Sequence, residues 1–212
     1  MEVFFAFCGK LIRRGYALLF AFVFVLYPAA AALPPLLMVK GHTSAAGFIY
    51  KIFTPFCHQL PQRSWFLFGP QSRYPLEAPE GSGLRTIYEA SGITDDAVRK
   101  RSFTGTPEMG YKMAICQRDL AIYLSLALFC LIFFACGNRI AELPLWAWIL
   151  FGLLPVGMDG LSQLAGNVLP GLIPARESTP MLRTVTGALF GFTLGWFLLP
   201  RLEKTLPLEE TA

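Results

Sequence analysis

Read from the amino terminus, the chain alternates between long uncharged apolar blocks and one mixed stretch. The first block runs from Tyr16 to about Val39, with Lys10, Arg13 and Arg14 in front of it. It is long enough to cross the roughly 30 Å hydrocarbon core of a bilayer. A second block runs from about Leu120 to Cys136 and is closed by Gly137, Asn138 and Arg139. A third runs from Leu145 to about Ala165, and a fourth from Leu182 to Leu199, ending at Pro200, Arg201 and Lys204. Blocks of this length are solvated by lipid instead of being packed at helix or strand period in a soluble core. The pattern predicts an all-α polytopic membrane protein with about four transmembrane helices, over 16–39, 120–136, 145–165 and 182–199. The first block also imitates a signal peptide, with its basic start and the small residues from Ala29 to Ala32. We expect it to stay as a span, kinked or ended by Pro28, Pro34 and Pro35.

Between the first two blocks, residues 40–118 hold six of the fourteen acids, several glycines and prolines, and no apolar run of spanning length. This reads as an extracytoplasmic segment. Its part from Ala45 to Phe68 is aromatic-rich with isolated charges, which suits a helix lying in the membrane interface. The insertion from about Ser72 to Tyr111 is soluble in character, and a short helix is expected there. Thr94 would cap it, Asp95 and Asp96 would sit in its first turn, and Arg99 and Lys100 would sit in its last.

Composition narrows the function classes. Of 212 residues, 54% are hydrophobic and 15% charged, against roughly 25% charged in an average soluble domain. The net charge of +4 is small, and the basic residues form no stripe interleaved with aromatics, so nucleic acid is set aside as a partner. The positive charges flank the apolar blocks instead. With both termini in the cytoplasm, that side receives Lys10, Arg13, Arg14, Arg139, Arg201 and Lys204, as the positive-inside rule requires. The short opposite link carries Arg176, and Arg183 opens the last span. The expected home is the plasma (inner) membrane, with the lipid bilayer as first partner.

Candidate chemistry is sparse. Gly187, Gly191 and Gly195 recur every four residues along the last span and form a smooth ridge on which another helix backbone can pack closely. Asp159 and Gln163 lie four apart on one face of the third span, beside Ser162. Ionisable residues at membrane depth are costly and usually functional. A carboxylate clamped to Arg176 or Arg183 at the helix ends is the structural alternative. Of five cysteines, Cys57 and Cys116 fall outside the apolar blocks and beyond the amino terminus. With His58 and Asp119 they offer four potential ligands to a tetrahedral ion such as zinc. A disulfide would use the same sulfurs, and free thiols are the third option.

The runs Cys57-His58-Gln59-Leu60-Pro61-Gln62-Arg63-Ser64 and Cys116-Gln117-Arg118-Asp119, the string Asp159-Gly160-Leu161-Ser162-Gln163, and Arg176-Glu177-Ser178-Thr179 through Arg183 to Gly187 together resemble one group. These are the uncharacterised prokaryotic membrane proteins catalogued as Domain of Unknown Function family 2085. The resemblance implies a membrane fold with polar motifs gathered outside the membrane, and brings no known activity. Where that family usually shows Cys-x-Arg-Cys, Asp119 stands in place of the last cysteine.

Two functions remain. The first is a non-catalytic accessory or scaffold subunit docking onto a larger membrane complex of other protein subunits. It would serve an electron-transfer assembly only as scaffold, since His42 and His58 both lie outside the spans and cannot hold haem within the bundle. The alternative is a membrane enzyme or metal-binding protein with a polar site at the outer face. That site would be built from His58, Arg63, Asp119, Asp159, Gln163, Arg176 and Arg183, with arginines suited to a phosphate- or carboxylate-bearing lipid.

Overall fold

In the computed structural model, residues 2–94, 96–168 and 176–205 are described, apart from the side chains of 2–14, 166 and 167. The side chains of the flanking charges Lys10, Arg13 and Arg14, the acid Asp95 and the middle of the link between the third and fourth spans, 169–175, therefore lie outside the description. The chain divides into two compact units, Met1–Leu26 with Ala121–Ala212, and Tyr27–Leu120.

Among the described residues, four helical stretches are long and apolar enough to cross a membrane: Gly15–Val39, Gln117–Ala135, Leu145–Ala165 and Pro180–Thr205. They fall on the expected blocks and run a few residues past some of the expected ends. Helix α1 (Glu2–Ala31) carries Pro28 without ending. The chain breaks at Ala32 and resumes as α2 (Leu33–Val39), with Pro34 and Pro35 in its opening turn. Proline is harmless there, because the first amides of a helix have no intrahelical acceptor. Helix α5 (Gln117–Ala135) follows the mixed segment.

The third span is not a uniform α-helix. Between α6 (Leu145–Trp148) and α7 (Leu154–Val168) the residues Ile149–Leu153 form a π-helical turn. A Cβ on Gly152 would strike the Thr193 hydroxyl of the last helix, α8 (Pro180–Thr205), so this turn packs without a side chain between the two helices.

The membrane unit builds its core from aromatic and small residues. Tyr16, Ala17, Ala21, Phe129, Cys130, Phe133 and Leu199 are buried together, with Phe192 edge-on to Phe129 at 5.2 Å. The backbones of α8 and α5 approach closely at Gly191, where a Cβ would collide with the Ile122 carbonyl and the Ser125 hydroxyl. At Gly195 it would stand 3.0–3.1 Å from Phe129 and Leu126. Gly187 is buried on the same helix. The outward surface is apolar, with Phe22, Leu128, Phe151, Leu161 and Val185 all exposed. Exposed side chains of that kind are compatible with hydrocarbon and costly against water.

The other unit departs from the all-helical expectation in detail, although the chain as a whole is mostly helical. Helix α3 (Thr43–Phe53) turns Ala46, Tyr50 and Phe53 inward, and these pack with Cys57, Met113, Ala114 and Ile115. It ends well short of the expected interfacial stretch to Phe68. Ser64–Leu67 is instead strand β1, paired antiparallel to β3 (Gly110–Cys116), and the short β2 (Gly105–Thr106) lines the other side of β3. The register joins Ser64 to Cys116 and Phe66 to Lys112. A central strand buried along nearly its whole length has no polar alternation to announce it.

The insertion keeps its own small core of Phe66, Tyr74, Ile87, Ala90, Val98 and Met109. Its capped helix is α4 (Ile87–Ser91). Thr86 accepts from the Glu89 amide while the Glu89 carboxylate accepts from the Thr86 amide, a reciprocal capping box. The expected Thr94–Lys100 helix shrinks to a 3-10 turn at Asp96–Arg99.

Gly191→Leu should overpack the α5–α8 seam and lower stability in detergent by about 1–3 kcal/mol. Leu189→Ala, at an exposed position on the same helix, should stay within about 0.5 kcal/mol. Thermal unfolding of both purified variants checks the contrast, and equal tolerance would place the seam elsewhere.

Candidate functional site

In the membrane unit, Asp159 on α7 is almost fully buried. Its side chain lies 3.4 Å from the guanidinium of Arg176. Ser178 donates to Asp159 Oδ2 at 2.8 Å, and Gln163 Nε2 reaches the Asp159 carbonyl at 2.9 Å. Arg176 also donates to the Ser162 hydroxyl at 2.5 Å. Arg183 takes a different acid: it pairs with Glu177 and reaches Gln163 Oε1 at 3.5 Å. Every charged side chain of this group is thus engaged by another member. Ser178 and Glu177 complete the network, and spacing did not single them out because they lie on the link before α8, where no helical period operates.

A second polar group closes the opposite end of α8. Arg201 lies 3.4 Å from Glu142, and Lys204 donates to the same carboxylate at 3.0 Å. Tyr16 donates to Glu203 at 2.8 Å, and Arg201 donates to the Leu143 carbonyl at 2.9 Å. Lysine beside Glu142 holds that carboxyl below its ordinary range. Arg183 and Arg201 are 18 residues apart, about 27 Å at 1.5 Å per helical residue, close to the hydrocarbon thickness.

The other unit holds the thiols. Cys57, Cys116 and Asp119 bring their ligand atoms within 4.8 Å of one another. Cys57 follows α3, with its amide bonded to the Phe53 carbonyl at 3.0 Å. Cys116 ends β3, and Asp119 lies in the first turn of α5. Both cysteines are free thiols. The Cys116 amide donates to Cys57 Sγ at 3.3 Å, and the Asp119 amide donates to Cys116 Sγ at 3.5 Å. The hydrogen bond between the two thiols pushes Cys57 up and draws Cys116 down, with burial also raising Cys57. His58, adjacent in sequence, is exposed and stands outside this trio, and Arg63 is half-buried at the end of a 3-10 turn.

Two residues beside this group were not candidates in the sequence reading, although Gln59 lies in a run that carries the family resemblance. Lys112 is fully buried in β3. Its ammonium donates to the Gln59 and Arg101 carbonyls, both at 2.6 Å, and lies 5.9 Å over the Tyr50 ring. Gln59 adopts a left-handed backbone, φ 52°, and its side-chain amide donates to the Tyr50 carbonyl at 2.8 Å. A lysine inside an apolar strand carries no local signal, since its partners lie 53 and 11 residues away.

Four apolar spanning helices with paired charges at both ends of the last one define a helical multi-pass membrane protein. A profile of the family described as "Predicted membrane protein (DUF2085)" matches residues 98–197, the resemblance that the motifs carry. The match takes in Cys116–Asp119, Asp159–Gln163 and Arg176–Arg183, and leaves Cys57–Arg63 outside it. Over 193 residues, 88% of this chain and 92% of the relative, the sequence is 25% identical to an uncharacterized protein of Methanocaldococcus jannaschii. No solved structure matches.

Asp159→Ala should strand Arg176 and Ser178 and lower stability by about 2–4 kcal/mol. A double-mutant cycle with Ser178→Ala should show coupling of about 1 kcal/mol. The half-exposed Arg176 should couple less, since solvent screens it. Strict additivity with both partners would remove the clamp.

Lys112 should also make stability depend on pH. Burial lowers its pKa from 10.5 to about 7, so from about pH 7 to 10 the unfolded chain binds more protons than the folded one. Stability should rise with pH across that window, by up to about 1.4 kcal/mol per unit, and be flat below it on this account. Lys112→Met should flatten the rise, which unfolding curves from pH 6 to 10 would record.

Proposed function

We propose that this chain is a non-catalytic subunit of the prokaryotic plasma membrane, a scaffold that docks onto a larger membrane assembly with both termini in the cytoplasm. The observation that carries the reading is the pairing of Asp159 with Arg176 and of Glu177 with Arg183. The charges best placed for catalysis or for an acidic lipid are spent on one another and tie the ends of α7 and α8. Exposed Phe48, Ile52 and Phe56, spaced by four on and just after α3, add an apolar face suited to an interface with lipid or another subunit. Orientation is supported by Arg139, Arg201 and Lys204, which collect near the ends of three spans, as cytoplasmic ends do.

Purification in mild detergent tests the docking. A fixed set of companions at constant stoichiometry is expected, and a chain that runs alone at every detergent strength would remove the scaffold reading. A single cysteine placed at Gly81 in a chain with its own cysteines replaced should react with an impermeant reagent from outside the cell. Labelling only after the membrane is opened would invert the topology.

A further inference from the structure

We propose that Cys57, Cys116 and Asp119 form a binding site for one divalent zinc-type cation, with the fourth coordination position left to water or an external ligand. Three ligand atoms from separate parts of the chain, after α3, at the end of β3 and in the first turn of α5, meet within 4.8 Å. Ligands about 2.0–2.3 Å from a tetrahedral ion lie about 3.3–3.8 Å from each other, so only modest side-chain adjustments would close the cage.

The local backbone is arranged to receive sulfur anions, whose protons a bound cation would displace. Each sulfur already accepts a backbone amide hydrogen, from Cys116 and Asp119 respectively, an arrangement that stabilises negative sulfur and fixes its direction. Cys116 also sits immediately before the first residue of the 19-residue helix α5, where the helix dipole favours an anion. Cys57 is 6% exposed and packed among Ala46, Tyr50 and Met113, which keeps water from competing on that side. Donor chemistry selects the ion. Two thiolates with one carboxylate suit borderline zinc, whereas copper(I) prefers sulfur alone, and magnesium and calcium prefer oxygen. Three protein ligands with an open position is the pattern of zinc sites that can take up a further ligand.

The experiment uses the full chain in detergent. Metal analysis after purification should find about one zinc per chain. Cobalt(II) added to chelator-treated protein should give a thiolate-to-metal charge-transfer band, and added zinc should raise the melting temperature where magnesium does not. Cys57→Ser and Cys116→Ser should abolish the band, and Asp119→Asn should weaken cobalt binding at least tenfold. Cys130→Ser and His58→Ala should leave it intact. Because a cysteine variant can fail to fold, the unaltered chain supplies an independent measurement. Five reactive thiols should be found after chelation and denaturation. Three thiols would reveal a Cys57–Cys116 disulfide and overturn the proposal, as would five thiols with neither zinc nor a cobalt band.

Discussion

Hydrocarbon offers a charged side chain no partner, so a protein that spans a membrane must supply its own wherever a charge cannot reach water. On α8 this constraint is visible as two polar groups with a nearly charge-free stretch between them. Arg183 works with Glu177 and Gln163 at one end, and Arg201 and Lys204 work with Glu142 at the other. Between them, Thr186 and Thr193 return their hydroxyls to carbonyls of their own helix at 2.7 Å. The same rule explains Asp159, whose burial is tolerable only because Arg176, Ser178 and Gln163 converge on it.

With no water to expel between helices, apolar surface alone gives α5 and α8 little reason to associate. What remains is dispersion between close backbones, and closeness requires the absence of side chains. Gly191 against Ile122 and Gly152 against Thr193 are places where an added carbon has no room, and at Gly195 it would crowd Phe129 and Leu126. Aromatic rings fill the wider gaps, with Trp196 stacked 6.3 Å from Phe129 and Trp148 5.0 Å from Phe197. The π-helical turn at Ile149–Leu153 brings Gly152 into this pattern, since one extra residue in a turn rotates every later side chain about the helix axis.

The spans were readable because hydropathy over about twenty residues is a local property. The Gly187-Gly191-Gly195 ridge was readable for the same reason, being periodic within one helix. The sheet was not. Ser64–Leu67 is four residues long, and β3 shows an unbroken buried run with a lysine in it, which resembles neither alternation nor a spanning block. Its stability comes from contacts distant in sequence, such as Tyr50 donating to the Lys112 carbonyl at 2.5 Å across 62 residues. The capping box at Thr86 and Glu89 was legible in principle, because Thr-x-x-Glu is a local signature. Thr94, followed by two acids and then two bases, offered a competing start, and only a 3-10 turn formed there. Of the candidate site, Asp159 with Arg176 was legible from charge and topology, whereas Ser178 and Lys112 depend on a loop path and a strand register that no local pattern encodes.

The thiol trio sits where such distant contacts matter most. Cys57 and Cys116 are separated by 59 positions, and the chain between them includes the whole insertion and most of the sheet. Any link between the two, through a metal or through sulfur itself, restricts the unfolded chain by closing that loop. For a loop of this length the chain-entropy model puts the effect at about 4 kcal/mol. That is comparable with what a small core of six residues around Tyr74 and Ile87 can contribute once ordering entropy is subtracted. Small folded units commonly gain stability from a covalent or metallic tie. In this one the amides of Cys116 and Asp119 are already directed at the two sulfurs, so the tie would require no rearrangement of the backbone that carries it.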